Sequence, residues 1–398
     1  MEKSTSPARL TWRRFRKNRP AMAGLFIILL AVIVALLGYL LCPDDSPSAN
    51  RQILEIAAEK PGFRVSFLQV RKNAEIPSRG FFQTIMNGVE DSCNIVPFRT
   101  MNFRNDVVVL EDYSKYPGDH FYRTIRLADI FYPLGPDSLY RVHGDTLSFS
   151  LIDGSGVQAS LSELREKVEE RIIVKRFLLG TDRFGRDLLS RMILGTRISL
   201  SVGLIAVLIS LFLGLLLGGI AGYAGGLTDR IIMWLVNVVW SIPTLLMVIA
   251  ITMALGKGYW QVFVAVGLTM WVEVARIVRG QVISLREKEY VEAARALGLP
   301  PLRIIFNHLL PNVLSPVVIV SAANFASAIL MEAGLSFLGM GVQPPVPSWG
   351  SMIKDHYGYI IVGQGYLAII PGLAIMLMVL SFTLVGNGLR DAMDSRSV

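Results

Sequence analysis

The stretch EYVEAARALGLPPLRIIFNHLLP, residues 289–311, lies between two long apolar runs and decides how the rest of the chain is read. It carries Glu289, Glu292, Arg295 and Arg303, and Pro300-Pro301 interrupts it. A charge at the centre of a bilayer costs about 2.5–3.5 kcal/mol on insertion scales, so this stretch does not cross a membrane. It is rich in good helix formers, and Tyr290, Ala293, Ala294 and Leu297 recur at the spacing of one helical face. Glu292 and Arg295 fall off that stripe, Gly298 lets the chain turn, and Pro300-Pro301 ends the first piece. The spacing predicts a helix over 289–297 and a second one beginning over 302–310. Together they make a helical elbow at about 286–305, tied to the apolar run on either side. A partner that moves such an elbow moves two membrane helices with it.

The flanking composition agrees. Of 398 residues, 52% are hydrophobic and only 18% are charged, against about 25% charged in a soluble domain. Six runs are long and apolar enough to cross a bilayer: 21–42, within 198–223, 231–255, about 260–278, about 313–335 and about 367–385. The fourth is the least apolar, with Glu273 and Arg276 in its last turns. Basic residues set the orientation. Lys3, Arg9, Arg13, Arg14, Arg16, Lys17 and Arg19 precede the first run, and Arg279, Arg286, Lys288, Arg295 and Arg303 lie between the fourth and fifth. The loops after the third and fifth runs hold only Lys257 and Lys354. Both termini and the 289–311 elbow are therefore expected in the cytoplasm. The net charge of +8 follows from this topology rather than from a nucleic-acid partner. Tyr39 and Leu41 stand where a signal peptidase needs small residues, so the first run reads as an uncleaved anchor.

Residues 43–178 differ. They are polar, with short β-type runs at 63–70, 106–110 and 147–152, and 153–156 reads as a turn into a strand at 157–161. Ser160 to Glu163 fits the start of a helix running to about residue 171. Joining the first two spans, this stretch is expected to fold outside the cytoplasm as one small domain. His120 and His143 are isolated and suggest no metal site. Cys42 and Cys93 would share an oxidising compartment, which permits a disulfide; two separate thiols is the plainer reading. Gly214, Gly218, Gly222 and Gly226 form a small-residue stripe suited to close helix approach. Glu273 is expected to pair with Arg276 one turn on. Glu332, before a Gly-rich stretch, reads either as lining a path or as bracing that turn.

The elbow resembles the EAA signature of ABC importer permeases. Glu292-Ala293-Ala294, then Gly298, then Leu310-Pro311 match at the same spacing, and His308, where Ile is common, looks like the peptide-importer branch. Leu179-Gly180-Thr181-Asp182-Arg183-Phe184-Gly185-Arg186-Asp187-Leu188-Leu189-Ser190-Arg191 is similar to the dipeptide/oligopeptide/nickel permease family. So are Gly334-Leu335-Ser336-Phe337-Leu338-Gly339, Pro347-Ser348-Trp349-Gly350 and Gly388-Leu389-Arg390-Asp391-Ala392. The resemblance covers 10–41 loosely and 178–394 closely; residues 43–178 depart from it, since the family usually has a shorter loop there.

The resemblance implies a membrane all-α fold: six transmembrane helices of the type I importer permease core, with an α+β extracytoplasmic insertion between helices 1 and 2. The organisation would be a cytoplasmic tail at 1–20, helix 1 at 21–42, the insertion at 43–178, the core at 179–392 and a tail at 393–398. It further implies a multi-pass subunit of the bacterial cytoplasmic (inner) membrane, lying in membrane lipid and working with a second permease subunit, two ABC ATPase subunits and an extracytoplasmic solute-binding protein. Tyr290, Glu292, Ala293, Ala294, Arg295, Leu297, Gly298, His308 and Pro311 would couple to an ATPase subunit. Gly180, Thr181, Asp182, Gly185, Arg186 and Asp187 form the motif before helix 2, and Glu273 and Glu332 are the path candidates. The chain has no G-x-x-x-x-G-K-[ST] loop, since Gly256-Lys257-Gly258 lacks both ends. It is thus expected to bind no cofactor and catalyse nothing, with ATP and Mg held by its partners. Peptide is the expected cargo; nickel, opines and peptide antibiotics are alternatives within the class. A rival class is an ion-driven transporter using Glu273 and Glu332, which would show internal repeats and helices broken in mid-membrane; none is evident in the sequence.

Overall fold

The computed structural model describes residues 7–74, 80–116, 118–135, 139–256 and 258–393. Lys3, Lys257 and the end of the tail expected at 393–398 lie outside them. The chain forms two compact units. One comprises Leu37–Leu194 with Ile361–Gln364, and the other comprises Met1–Leu36, Gly195–Ile360 and Gly365–Val398.

The larger unit is helical. Its main helices are α1 (Arg19–Leu36), α2 (Leu188–Ala224, whose first turns belong to the other unit), α3 (Gly226–Ser241), α4 (Thr244–Leu255), α5 (Tyr259–Leu285), α6 (Glu289–Ala296), α7 (Leu310–Phe337), α8 (Trp349–His356) and α9 (Tyr366–Met393). Among the described residues, five helices are long and apolar enough to cross a membrane, or six if the bent pair α3–α4 counts as one span. The run at 231–255 is therefore not the single straight helix its composition suggested. It bends by 94° at Ile242-Pro243. Pro243 has no N–H to continue the ladder, and the residue before a proline is pushed to extended backbone, which Ile242 adopts at ψ 129°. A broken helix is thus present, contrary to the sequence reading.

Small residues bring these helices together, since lipid supplies no hydrophobic drive for their association. A Cβ at Gly218 would lie 2.5 Å from the Ala275 carbonyl oxygen, and Gly214 and Gly222 meet α5 at Val274 and Val282 in the same way. Gly226 does not belong to this stripe. The α2 helix ends at Ala224, and Gly226, at φ +54°, faces open space. Where α3 begins, Arg279 on α5 donates from Nε and Nη2 to the two oxygens of Asp229, at 2.5 and 2.7 Å. This fork-on-carboxylate geometry is the strongest form of such a pair.

The smaller unit holds β1 (Phe63–Arg71), β2 (Cys93–Arg104), β3 (Val107–Asp112), β4 (Tyr122–Arg126), β5 (Arg141–His143), β6 (Thr146–Ser150), β7 (Gly156–Ser160) and β8 (Ile172–Phe177). An antiparallel sheet runs β4-β3-β2-β1-β8, and β5-β6-β7 form a second. Strands were expected at 63–70, 106–110, 147–152 and 157–161, and each has a counterpart. The helix expected from Ser160 runs Leu161–Lys167, with the Ser160 hydroxyl accepting from the Glu163 N–H, before tightening into a 3₁₀ turn at Val168–Arg171. Leu68, Val108, Leu110, Leu127, Ile130, Leu147 and Val168 fill its main core. Cys42 and Cys93 are not joined; the Cys42 thiol donates to the Ser190 carbonyl at 3.6 Å.

Candidate functional site

The elbow is seated, not merely tethered. Val291 and Ala294 of α6 are buried in one cluster with Val274, Val278 and Val282 of α5, Ile304, Ile305 and Leu309 of the elbow's second half, and Val313 and Val317 of α7. Leu211 and Leu215 of α2 pack against this cluster. The expected stripe of Tyr290, Ala293, Ala294 and Leu297 is corrected here. Ala294 turns inward beside Val291, whereas Tyr290, Ala293 and Leu297 stay on the exposed side, Leu297 at 79% exposure. The face was misjudged because Val291, one turn before Ala294 and Arg295, was not weighed as its second apolar anchor.

Gly298 ends α6 in the left-handed region at φ +74°, its N–H donating to the Arg295 carbonyl at 2.9 Å, while Leu299 N–H reaches back to Ala294 at 3.2 Å. This is the helix C-terminal turn that glycine adopts without steric cost. The second half is not a separate helix. Pro301–Ile304 passes into a π-helical turn, Ile305–Leu309, and runs on into α7. Pro311 cannot donate to the Asn307 carbonyl and its ring crowds that turn, which a widened turn relieves. His308 lies within it half-buried, its carbonyl accepting from Asn312 at 2.7 Å, and Pro311 is exposed. Arg295 lies 5.0 Å over the Tyr223 ring. Glu292 points outward and makes no side-chain bond to a described residue. Leu302 and Phe306 are exposed, as are Tyr290 and Leu297. The elbow thus presents four large apolar side chains outward and is wedged into three long helices on its other side.

The Gly180–Asp187 motif does different work. Asp182 is fully buried; one oxygen accepts from the N–H groups of Phe184 and Arg186 at 2.9 and 3.0 Å, the other from Arg186 Nε at 2.6 Å. The Thr181 hydroxyl donates to the Ile56 carbonyl and accepts from Glu59 N–H at 2.8 Å. Arg186 also donates to Asn50 at 3.0 Å, and Asp187 accepts from Ser190, whose hydroxyl accepts from Asp44 N–H at 2.9 Å. Burial pushes the Asp187 carboxyl above its usual range. Gly180 and Gly185 both take positive φ, and a Cβ at Gly185 would strike the Ile53 carbonyl at 1.7 Å. The motif is a knot that grips residues 44–59 within the smaller unit.

The path candidates separate. Glu332 is fully buried, its Oε1 accepting from the Ser336 hydroxyl at 2.7 Å, and Ser336 in turn contacts Val342 N–H and the Ser348 hydroxyl, each at 3.3 Å. Of its two readings, this geometry is that of a brace for the turn after α7. Glu273 does not pair with Arg276. Arg276 donates instead to Asn237 at 2.8 Å and lies 4.2 Å over the Trp240 ring, both across on α3. Helical spacing put the two residues within reach, but packing gave the guanidinium better partners. Glu273 lines a cavity of about 370 Å³ at the α3–α4 break with Trp240, Pro243, Thr244, Thr269, Asn324 and Ser327, among others. The sequence reading missed the cavity, although Pro243 inside an apolar run was a signal for it.

This multi-pass helical membrane protein, its charged elbow seated on three of its long helices, is identified as a transport permease by its relatives. Residues 214–398 match the family described as binding-protein-dependent transport system inner membrane component, and 6–56 match the N-terminal TM domain of oligopeptide transport permease C. The glutathione transport system permease protein GsiD of Pectobacterium atrosepticum is 42% identical over 218 residues, covering 55% of this chain and 72% of that protein. The dipeptide permease DppC of Alkalihalophilus pseudofirmus is 42% identical over 54% of this chain and 71% of its own. The oligopeptide permease OppC of Haemophilus influenzae is 42% identical over 54% and 70%. A solved chain of the MetNI methionine ABC transporter aligns at TM-score 0.39 and 23% identity over 52% of this chain and 96% of its own, too distant for any inference. The chain belongs to the binding-protein-dependent permease family of bacterial ABC importers.

Proposed function

We propose that this chain is the membrane-spanning subunit of an ATP-driven importer of di- and oligopeptides in the bacterial inner membrane. Its relatives' names, a dipeptide, an oligopeptide and a glutathione permease, support the cargo class. It works beside a second permease subunit. An extracytoplasmic solute-binding protein delivers cargo, and two ABC ATPase subunits hold ATP and Mg. The bent pair α3–α4 counts as one of six spans, and basic residues near span ends put the termini and the elbow in the cytoplasm. The extracytoplasmic insertion follows the first span.

One observation carries the mechanism: the elbow leaves Tyr290, Leu297, Leu302 and Phe306 exposed while Val291 and Ala294 are buried among three long helices. An ATPase subunit grips Tyr290, Leu297, Leu302 and Phe306. Closure of the ATPase pair pushes the elbow, and the close-packed seat passes the displacement to α2, α5 and α7 instead of absorbing it. Those helices then re-pose between outward and inward access.

The test is the number of ATP molecules hydrolysed per peptide taken up by the reconstituted complex. Glu292→Ala and Gly298→Val, which alter the elbow's charge and its left-handed turn, are expected to raise that number severalfold while membrane insertion is retained. A wild-type ratio in both variants would overturn the coupling role.

A further inference from the structure

We infer that the cavity at the α3–α4 break is a mid-membrane subsite for the positively charged amino terminus of a passing peptide, with Glu273 as its counter-ion. The inference rests on the importer reading above and names the cargo feature that one set of residues recognises.

Three elements bring polar groups to one cavity from points midway along their helices. Glu273 lies near the middle of α5, Asn324 near the middle of α7, and the break at Ile242-Pro243 near the middle of the bent pair. All three line the same cavity of about 370 Å³. Polar groups midway along a membrane helix are expensive unless they face a wet or occupied space. Asn324 is 3% exposed, yet its Nδ2 has no hydrogen-bond partner among the described residues. A buried amide donor left so is destabilising unless something transient fills the site. Thr269 uses its proton on the Val266 carbonyl at 2.8 Å, leaving its oxygen an acceptor.

Charge selects the occupant. Among the described residues, Glu273 is the one ionisable residue lining the cavity. Its nearest helical cation, Arg276, is engaged by Asn237 and Trp240 and does not line the space. A carboxylate with no ion-pair partner among the described residues, lining the same cavity as an amide donor, matches an α-ammonium next to its own carbonyl oxygen: Glu273 and the Thr269 oxygen take the N–H groups, and Asn324 Nδ2 donates to the carbonyl. The first residue of any unblocked peptide carries that pair whatever its side chain. The subsite therefore recognises the backbone terminus and stays indifferent to sequence.

Two measurements test it. The first is initial uptake by the reconstituted complex of a tripeptide and its N-acetylated form, for wild type, Glu273→Gln and Glu273→Asp. Glu273→Gln is expected to slow the free-amine peptide about tenfold and the acetylated one less than about twofold, with Glu273→Asp close to wild type. Equal slowing of both peptides, or of neither, overturns the subsite. A wild-type complex that takes up no peptide overturns the importer reading instead.

The second measurement needs no delivery protein. In a full-length chain with Cys42 and Cys93 replaced by Ala, Ser327→Cys puts a thiol on the cavity wall. Cationic aminoethyl methanethiosulfonate is expected to label it about tenfold faster than the neutral methyl reagent, and Glu273→Gln to abolish the difference. Equal rates with Glu273 present overturn the inference on their own.

Discussion

Leu297 gives the sharpest handle on the elbow, because it is 79% exposed in the chain by itself. Burying a leucine side chain fully is worth about 1.5–3 kcal/mol. If an ATPase groove covers most of what is open at Leu297, Leu297→Ala removes about 2 kcal/mol of docking free energy, or about thirtyfold in affinity. An exposed side chain leaves no cavity behind, so the permease itself should unfold at an unchanged temperature. The assay is titration of the purified ATPase subunits onto the permease in nanodiscs, with thermal unfolding of the permease measured alongside. Val291→Ala is the counterpart: it touches no exposed surface and should cost the permease about 1 kcal/mol or more in stability. Wild-type ATPase affinity for Leu297→Ala, with the fold intact, would refute the argument that this face is the docking surface.

Three further outcomes follow from the same structure. Gly218→Val puts a branched side chain where a Cβ alone would lie 2.5 Å from the Ala275 carbonyl, so thermal unfolding should show a loss of about 1–3 kcal/mol or more; Gly226→Ala, facing open space, should cost only the roughly 1 kcal/mol of its left-handed backbone. Asp182→Ala leaves Arg186 and Arg191 buried without their shared carboxylate, a loss of about 3–5 kcal/mol expected to appear as rapid protease cleavage within 37–194. Tyr113, which donates to Glu59 at 3.1 Å, is pushed up to about 12, chiefly by burial and then by Glu59. The unfolded chain releases that proton from about pH 10 while the folded one keeps it, so stability falls as pH rises from there towards the folded value, and Tyr113→Phe should flatten that alkaline slope in unfolding experiments.

The sequence determined what short-range chemistry controls. Apolar runs of bilayer length cannot stay in water, so they fixed the membrane class and, five times out of six, the position of a long helix. Four strands (β1, β3, β6 and β7), the Ser160 cap, and the first half of the elbow closed by Gly298 all depend on residues within a turn or two of each other, and they read correctly, whereas β2, β4, β5 and β8 were passed over. What depends on distant partners was misread. Arg276 chose Asn237 and Trp240 over the nearer Glu273 because another helix offered a hydrogen bond and a ring together. Which side of the elbow is buried depended on where α5 and α7 put their valines, and composition does not contain that. The break at Pro243, with its 94° angle, was passed over within an apolar run, and only packing turned it into a cavity shared with Glu273 and Asn324. Local propensity is written residue by residue, whereas the choice among competing partners is an energy difference that exists only once the helices are side by side.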